Sequence, residues 1–357
     1  MRIGIVAGIV VANDAISAAV VGQARIVAPM PEVESVTIFA QHIGRDVPCD
    51  GRVVRDPWTL AKDPDFAACD FVLFHWGIHY ALFDVLTLFG PERSKHAAVH
   101  FHNCTPIDLV HDDNRAQVER SIAQMSHTIG LGVQLLTYSE FNRLTLLSWG
   151  ADPEDIGFLP FPIDRPTGLA AVRTPDTFEL VSVGRFVAAK GQLTLLEALA
   201  LLPAELRRQV RLHLAGSAAF SEMSYYTELR TRIAEHELAE MVTIVEDPSD
   251  AELWELYASG DLVVSTSLHE GLCVPIVEGY AVGCRALGTT EGNLPYLVVS
   301  PDEVVPPLNA PLLAAALERA AVRRGVRDAE HEQRCNELVA SFSSGSCTTL
   351  LRRLLFA

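Results

Sequence analysis

Val181-Ser182-Val183-Gly184-Arg185-Phe186-Val187-Ala188-Ala189-Lys190-Gly191 is the stretch that decides how this chain folds. A β-branched run ends at Gly184, two cations follow in a short loop, and an apolar-periodic helix opens after Gly191. Strand, glycine loop and helix in that order form the opening half of a βα unit, so a parallel α/β sheet is expected. The loop chemistry suits a diphosphate: arginine offers a fork to two oxygens, lysine a point charge, and glycine lets the backbone approach closely. The plainer alternative for Arg185 and Lys190 is two solvated cations on an exposed loop.

Outward from this stretch the same rhythm continues in both directions. Downstream, strand patterns at Glu179–Val183, Val210–Ala215, Val242–Val245 and Leu262–Ser265 alternate with helical patterns at Leu193–Leu202, Glu222–His236, Ala251–Ala258 and Val274–Val282. Upstream, Arg2–Val11, Ser35–Ala40, Phe71–Phe74, Ala97–Phe101 and Gln134–Tyr138 read as strands, with helices at Asp14–Val27, Ile107–Ser126 and Glu140–Trp149 between them. Pro160, Pro162 and Pro166 break the rhythm, each removing a backbone donor. The expected division is therefore a first domain over 1–163 and a second over 164–335. A helical tail over 336–357 is free to pack back on the first domain. Two α/β domains imply a cleft between them, lined by loops at the carboxyl ends of the strands.

Composition bounds the partners. The chain is 49% hydrophobic with a net charge of −17, which opposes phosphate backbones and anionic lipid, since both need clustered Lys and Arg. No nucleic acid and at most transient membrane contact are expected. Seven scattered cysteines without a C-x-x-C pair suggest neither zinc ribbon nor redox dithiol, and fit a reducing cytoplasm. Ile3 to Ala12 superficially resembles a signal peptide, but reads better as a buried first strand. No run approaches ~18 uninterrupted apolar residues, so no membrane span is expected.

A second segment, Ser265-Thr266-Ser267-Leu268-His269-Glu270-Gly271-Leu272-Cys273-Val274-Pro275-Ile276-Val277-Glu278, follows a strand and enters a helix with proline in its first turn. Gly271 to Val274 would turn free amides toward a ligand. Glu270 and Glu278 could face that same ligand and accept hydrogen bonds from sugar or ribose hydroxyls. Alternatively, Glu278 merely complements the helix dipole, worth about 0.3–1 kcal/mol.

Together these segments resemble a known family. Gly184-Arg185-Phe186 with Lys190-Gly191 is similar to the G-R-x-x-x-x-K-G segment of retaining GT-B glycosyltransferases. Glu270-Gly271-Leu272, Pro275 and Glu278 resemble the E-x7-E motif of glycosyltransferase family 4. Leu214-Ala215-Gly216, Asp250 to Tyr257 and Ala281-Val282-Gly283 follow the family order, so the likeness spans about Thr177 to Val298. Upstream, Phe74-His75-Trp76-Gly77-Ile78 and His100-Phe101-His102-Asn103-Cys104-Thr105-Pro106 resemble segments of polysaccharide-assembly members.

The resemblance implies a GT-B fold of two Rossmann-like domains facing a central cleft, the nucleotide mainly on the second and the acceptor mainly on the first. It implies retaining, metal-independent transfer of a sugar from a nucleoside diphosphate sugar to a hydroxyl acceptor, with no cofactor beyond that donor. Arg185 and Lys190 would bind the diphosphate and Glu278 the ribose. Glu270 with the amides of Gly271, Leu272 and Cys273 would hold the donor sugar, and His102 would face it near the reacting carbon. Asn13, in the first loop, and Asn103, after His102, join the substrate-binding candidates. A disaccharide synthase or phosphorylase, or a nucleotide-sugar-binding protein without transfer activity, are the alternatives. Departures are visible too: Val11-Ala12-Asn13-Asp14-Ala15 replaces the usual glycine pair, Tyr296 stands where an acid is common, and Cys273 where glycine is frequent.

Other chemistries have weaker support. His75 and His79, with His96, His100 and His102 nearby, offer metal ligands without a strong third-ligand motif, so packed or substrate-facing histidines are the preferred reading. Asp63-Pro64-Asp65 satisfies a D-x-D pattern but reads as a turn and helix cap. G-x-G-x-x-G is missing after the first strand, which argues against a nicotinamide-dependent dehydrogenase.

Overall fold

The computed structural model describes the chain except residues 13, 46, 48–50, 111, 219–220, 327 and 357. It separates into two compact units, Met1–Pro162 with Phe342–Ala357, and Ile163–Ser341. The division at the prolines lies beside the expected 163/164 boundary. The later one falls at 341/342 rather than 335/336. The reason is that Ala329–Ser341 forms one helix, which packs on the helix Val274–Ala281 of the second unit.

The first unit is built on seven parallel strands. In chain order these are β1 (Arg2–Val10), β2 (Ser35–Ile43), β3 (Gly51–Val53), β4 (Phe71–Trp76), β5 (Ala97–Phe101), β6 (Gln134–Thr137) and β7 (Ile156–Phe158). They lie in the order β3-β2-β1-β4-β5-β6-β7. Every residue of β4 and β5 is buried, as expected of central strands covered on both faces. Alternation sorts their side chains. Val72, Phe74, Trp76, Ala97, Val99 and Phe101 enter an aromatic-rich core. Leu73 and Ala98 enter an aliphatic core on the other face, beneath the helix Ala15–Val27 and the last helix, Ser344–Phe356. His75 and His100 continue that second face toward the carboxyl ends of the strands.

The second unit carries six parallel strands: β8 (Phe178–Val183), β9 (Val210–Gly216), β10 (Val242–Glu246), β11 (Leu262–Ser265), β12 (Arg285–Thr289) and β13 (Val304–Val305). Their order, β10-β9-β8-β11-β12-β13, repeats that of the first six strands of the first unit. Both are the 3-2-1-4-5-6 arrangement of the doubly wound nucleotide-binding fold. In each sheet the winding reverses between the first and fourth strands, and open α/β sheets bind ligands outside the carboxyl ends of the strands there. Among the described residues no helix is long and apolar enough to cross a membrane.

Four strands escaped the sequence reading. β3, β7 and β13 are only two or three residues long. β12 begins with Arg285, whose guanidinium pairs at 2.7 Å with the buried Glu303, and contains Gly288. A charged residue and a glycine hide an apolar strand from a pattern search.

Candidate functional site

In the second unit the loops after β8 and β11, the strands flanking the reversal point, are stitched together. Thr266 Oγ1 donates to the Lys190 carbonyl at 2.9 Å, and the Leu268 amide donates to the Ala189 carbonyl at 2.8 Å. Gln192 Nε2 reaches back to the Arg185 carbonyl at 2.9 Å, and the Ser221 hydroxyl accepts from the Phe186 amide. Gly191 sits between the loops at φ 63°, and a Cβ there would lie 2.3 Å from the Thr266 carbonyl oxygen. The final glycine of the cationic segment is thus a steric requirement.

Seven of the expected donor-site residues, Arg185, Lys190, Glu270, Gly271, Leu272, Cys273 and Glu278, come from these two loops and the helix that follows. Lys190 Nζ meets Glu270 Oε1 at 2.6 Å, with both side chains largely buried. Ser267 donates to the same carboxylate oxygen at 2.7 Å. Arg185 is exposed, and among the described residues no acidic partner holds its guanidinium. Cys273 adopts φ 72° immediately before the helix Val274–Ala281, and the amides of Leu272 and Cys273 have no intramolecular acceptor among the described residues. Gly271 lies in the same turn. The loop is braced from β12: the Asn293 amide donates to the Glu270 carbonyl at 2.8 Å, and a Cβ on Gly292 would strike the Glu270 backbone at 2.4 Å.

Glu278 lies in the first turns of that helix. Burial pushes its carboxyl up to about 7, and the neighbouring phenol of Tyr257 holds the rise in check. Tyr257 is fully buried, and among the described residues its hydroxyl has no hydrogen-bond partner of good geometry. Burial likewise lowers His269 to about 4 against the opposing pull of Glu270, so this histidine is neutral beside the Lys190–Glu270 pair. An exposed arginine, a paired lysine, two carboxylates and unpaired amides are the groups a phosphorylated sugar needs.

The first unit holds the other candidates. β4 and β5 pair so that His75 stands opposite His100, and His102 follows two residues on, along the same face. All three are buried, and His75 Nδ1 meets His102 Nε2 at 2.9 Å. His100 Nδ1 faces Gln23 Nε2 at 3.2 Å, and the Tyr138 hydroxyl donates to the His102 carbonyl at 2.9 Å. Burial holds all three imidazoles far below the usual range, His100 at about 3, so each is neutral near pH 7. Each offers one ring nitrogen within 4.8 Å of the other two, enough to consider a metal ion. His79 and His96 stand outside this group.

Asn103, at φ 74°, is buried and spends its side chain inside the unit: Nδ2 donates to Asn142 at 2.6 Å, and Oδ1 accepts from the Cys104 amide. Asn13 lies outside the described residues. Sequence reasoning missed Ser267, Tyr257, Gly292 and the pairing of His75 with His102. Only the last had any signal, a histidine near the end of each of two strand patterns.

Comparison with known proteins bears on the family and the fold. The sequence model described as Glycosyl transferases group 1 matches residues 170–337. Residues 170–337 are a glycosyl transferases group 1 domain. This stretch contains every donor-site candidate except those of the first unit. The chain is 29% identical over 160 residues to a D-inositol 3-phosphate glycosyltransferase of Pseudarthrobacter chlorophenolicus, covering 41% of this chain and 36% of that protein. It is 30% identical over 191 residues to an MMP alpha-(1->4)-mannosyltransferase of Mycolicibacterium hassiacum, covering 52% and 44%. The matches thus span less than half the length of either relative.

Solved structures cover the whole chain. Anabaena Alr3699/HepE in complex with UDP aligns over 99% of both chains, with a TM-score of 0.76 at 18% identity. Sucrose-phosphate synthase from Thermosynechococcus elongatus aligns over 99% and 98%, with a TM-score of 0.72 at 17% identity. The group 1 domain therefore belongs to a two-unit fold of the GT-B type, as the motifs implied.

Proposed function

We propose that this chain is a retaining glycosyltransferase, moving a sugar from a nucleoside diphosphate sugar to a hydroxyl acceptor. One observation carries the reading. At the reversal point of the group 1 domain the Lys190–Glu270 pair joins two mutually bonded loops, which also carry Arg185 and the Leu272 and Cys273 amides, unpaired among the described residues, and lead into the helix of Glu278. A neighbour of this fold has been solved with UDP-glucose, which supports a nucleotide-sugar donor.

In this mechanism Arg185 and Lys190 take the diphosphate. Their stabilisation grows as the glycosidic bond lengthens and charge accumulates on the departing nucleoside diphosphate, so it acts on the transition state. Lys190 enters the reaction by exchanging part of its contact with Glu270 for phosphate oxygen. Glu270 then accepts from sugar hydroxyls, while the Leu272 and Cys273 amides donate to them. Glu278 accepts from the ribose. His102 donates to the sugar. The acceptor attacks from the face the diphosphate leaves, and the leaving phosphate takes the acceptor's proton, which accounts for retention without a dedicated acid–base pair. The two cations supply the positive charge, so transfer proceeds without a divalent ion, in the cytoplasm and with no part for nucleic acid.

Thermal-shift titration with UDP-glucose, GDP-mannose and ADP-glucose tests the donor class, because a ligand that binds only the folded state raises the melting temperature. One of the three is expected to stabilise the chain and to be turned over. Arg185→Ala and Lys190→Ala should each weaken its binding about 10–100-fold, the range of a lost charge-assisted hydrogen bond. Binding untouched by both substitutions would remove the diphosphate role. Tight binding with no turnover across a broad acceptor panel would favour a nucleotide-sugar-binding protein.

A further inference from the structure

We infer that His75 fixes His102 in the tautomer that carries its proton on Nδ1, making His102 a neutral hydrogen-bond donor toward a ligand oxygen rather than a base. The inference starts from Gln23, which is fully buried on the helix Ala15–Val27. Its amide nitrogen donates to His100 Nδ1, so the proton of His100 sits on Nε2. Among the described residues that Nε2 is buried without a partner of good geometry, and so is Nε2 of His75 in the adjacent ring, 5.4 Å away between centroids. For His75 only Nδ1 has a partner in reach, and an N–H buried without an acceptor is rarer and costlier than a ring nitrogen buried without a donor. His75 Nε2 is therefore the lone pair, and the proton of His75 lies on Nδ1, the atom 2.9 Å from His102 Nε2.

His102 Nε2 must then accept, which leaves its own proton on Nδ1. The donors then run from Gln23 to His100 and from His75 to His102, which keeps its own N–H on Nδ1. Among the described residues, burial and the other histidines act on the basicity of His75 and His102, and no carboxylate there draws a second proton in. His102 retains 8% exposure, and its Nδ1 has no partner among the described residues. That N–H lies at the carboxyl edge of the first sheet. His75 is thus a positioning residue. The consequence for transfer rests on the proposed function, in which His102 donates to an oxygen of the sugar.

Long-range proton–nitrogen correlation NMR on the full chain with labelled histidine reads the tautomers directly, without ligand. The expected spectrum shows His102 protonated on Nδ1 and bare on Nε2, unchanged as pH falls from 8 to 6. A wild-type spectrum with His102 protonated on Nε2, or with both forms mixed, overturns the inference. His75→Leu should mix the two tautomers, while His75→Asn, whose side-chain N–H can stand near the lost Nδ1–H, should restore the single form. Turnover of whichever of UDP-glucose, GDP-mannose or ADP-glucose the wild type uses should fall about tenfold in His75→Leu and recover in His75→Asn, the scale of one oriented hydrogen bond. The expected tautomer in a chain that neither binds nor turns over any nucleotide sugar sinks the proposed function and leaves this assignment standing.

Discussion

Glu278 carries a carboxyl that its surroundings push toward neutrality, yet its proposed partner, a ribose, needs the anion. The folded group titrates near 7 against an ordinary value of 4.5. Between these values the folded chain holds a proton the unfolded chain has lost. Stability from this group is therefore complete below pH 4.5 and falls as pH rises toward 7, by at most ~3 kcal/mol. Glu278→Gln should flatten that part of the stability profile in urea titrations between pH 5 and 8. It should also weaken nucleotide-sugar binding about tenfold at pH 8 and hardly at all at pH 5.5, where the wild-type group is already protonated. An unchanged stability profile in the variant would show that Glu278 is ionised throughout. Residues of this kind were legible from the motif alone, since Arg185, Lys190, Glu270 and Glu278 are contiguous in two short segments. Tyr257 and Ser267 were not, because Tyr257 meets Glu278 from a neighbouring helix and Ser267 meets Glu270 only through the turn of their shared loop. His75 stayed one histidine among several until the pairing of β4 with β5 set it opposite His100.

Loops and caps separate function from stability at the next scale. Gly191 caps the helix Gln192–Leu201 in a left-handed conformation and touches the backbone of the second loop. Gly191→Ala adds a strained φ and a clash with a carbonyl that cannot move alone, so a loss of about 2 kcal/mol or more is expected. Donor binding should fall with it, because both loops shift. Ser249→Ala provides the contrast. Ser249 and Glu252 form a reciprocal cap on the helix Asp250–Ser259, so the change should cost about 1 kcal/mol in denaturant titration while leaving nucleotide affinity intact. Equal effects of both variants on affinity would argue against a special place for the Gly191 loop. The long apolar elements were readable from periodicity, whereas β12 was hidden because Arg285 reads as a surface residue until Glu303 is placed beside it.

Across the whole molecule, each unit repeats one strand order, and the first takes its final helix from the far end of the chain. Cys347, Leu351 and Leu355 lie in the same core as Ile3, Ile5 and Leu73. Removing residues 342–357 should strip the cover from that face. Hydrogen exchange should then show lost protection in β1 and β2, with the amides of 178–289 still protected. Protection in β1 unchanged by the truncation would show that the last helix is dispensable.

The same arrangement has a consequence for the order of synthesis. Everything in the first unit except that helix leaves the ribosome before the second unit begins. At ~5–20 residues per second, the intervening stretch of roughly 180 residues takes roughly 10–40 s to emerge. For that interval the aliphatic face under Ile5 and Leu73 has no cover from Leu351 and Leu355, while the group 1 domain can complete itself. The half of the molecule that is translated first is the half that finishes last.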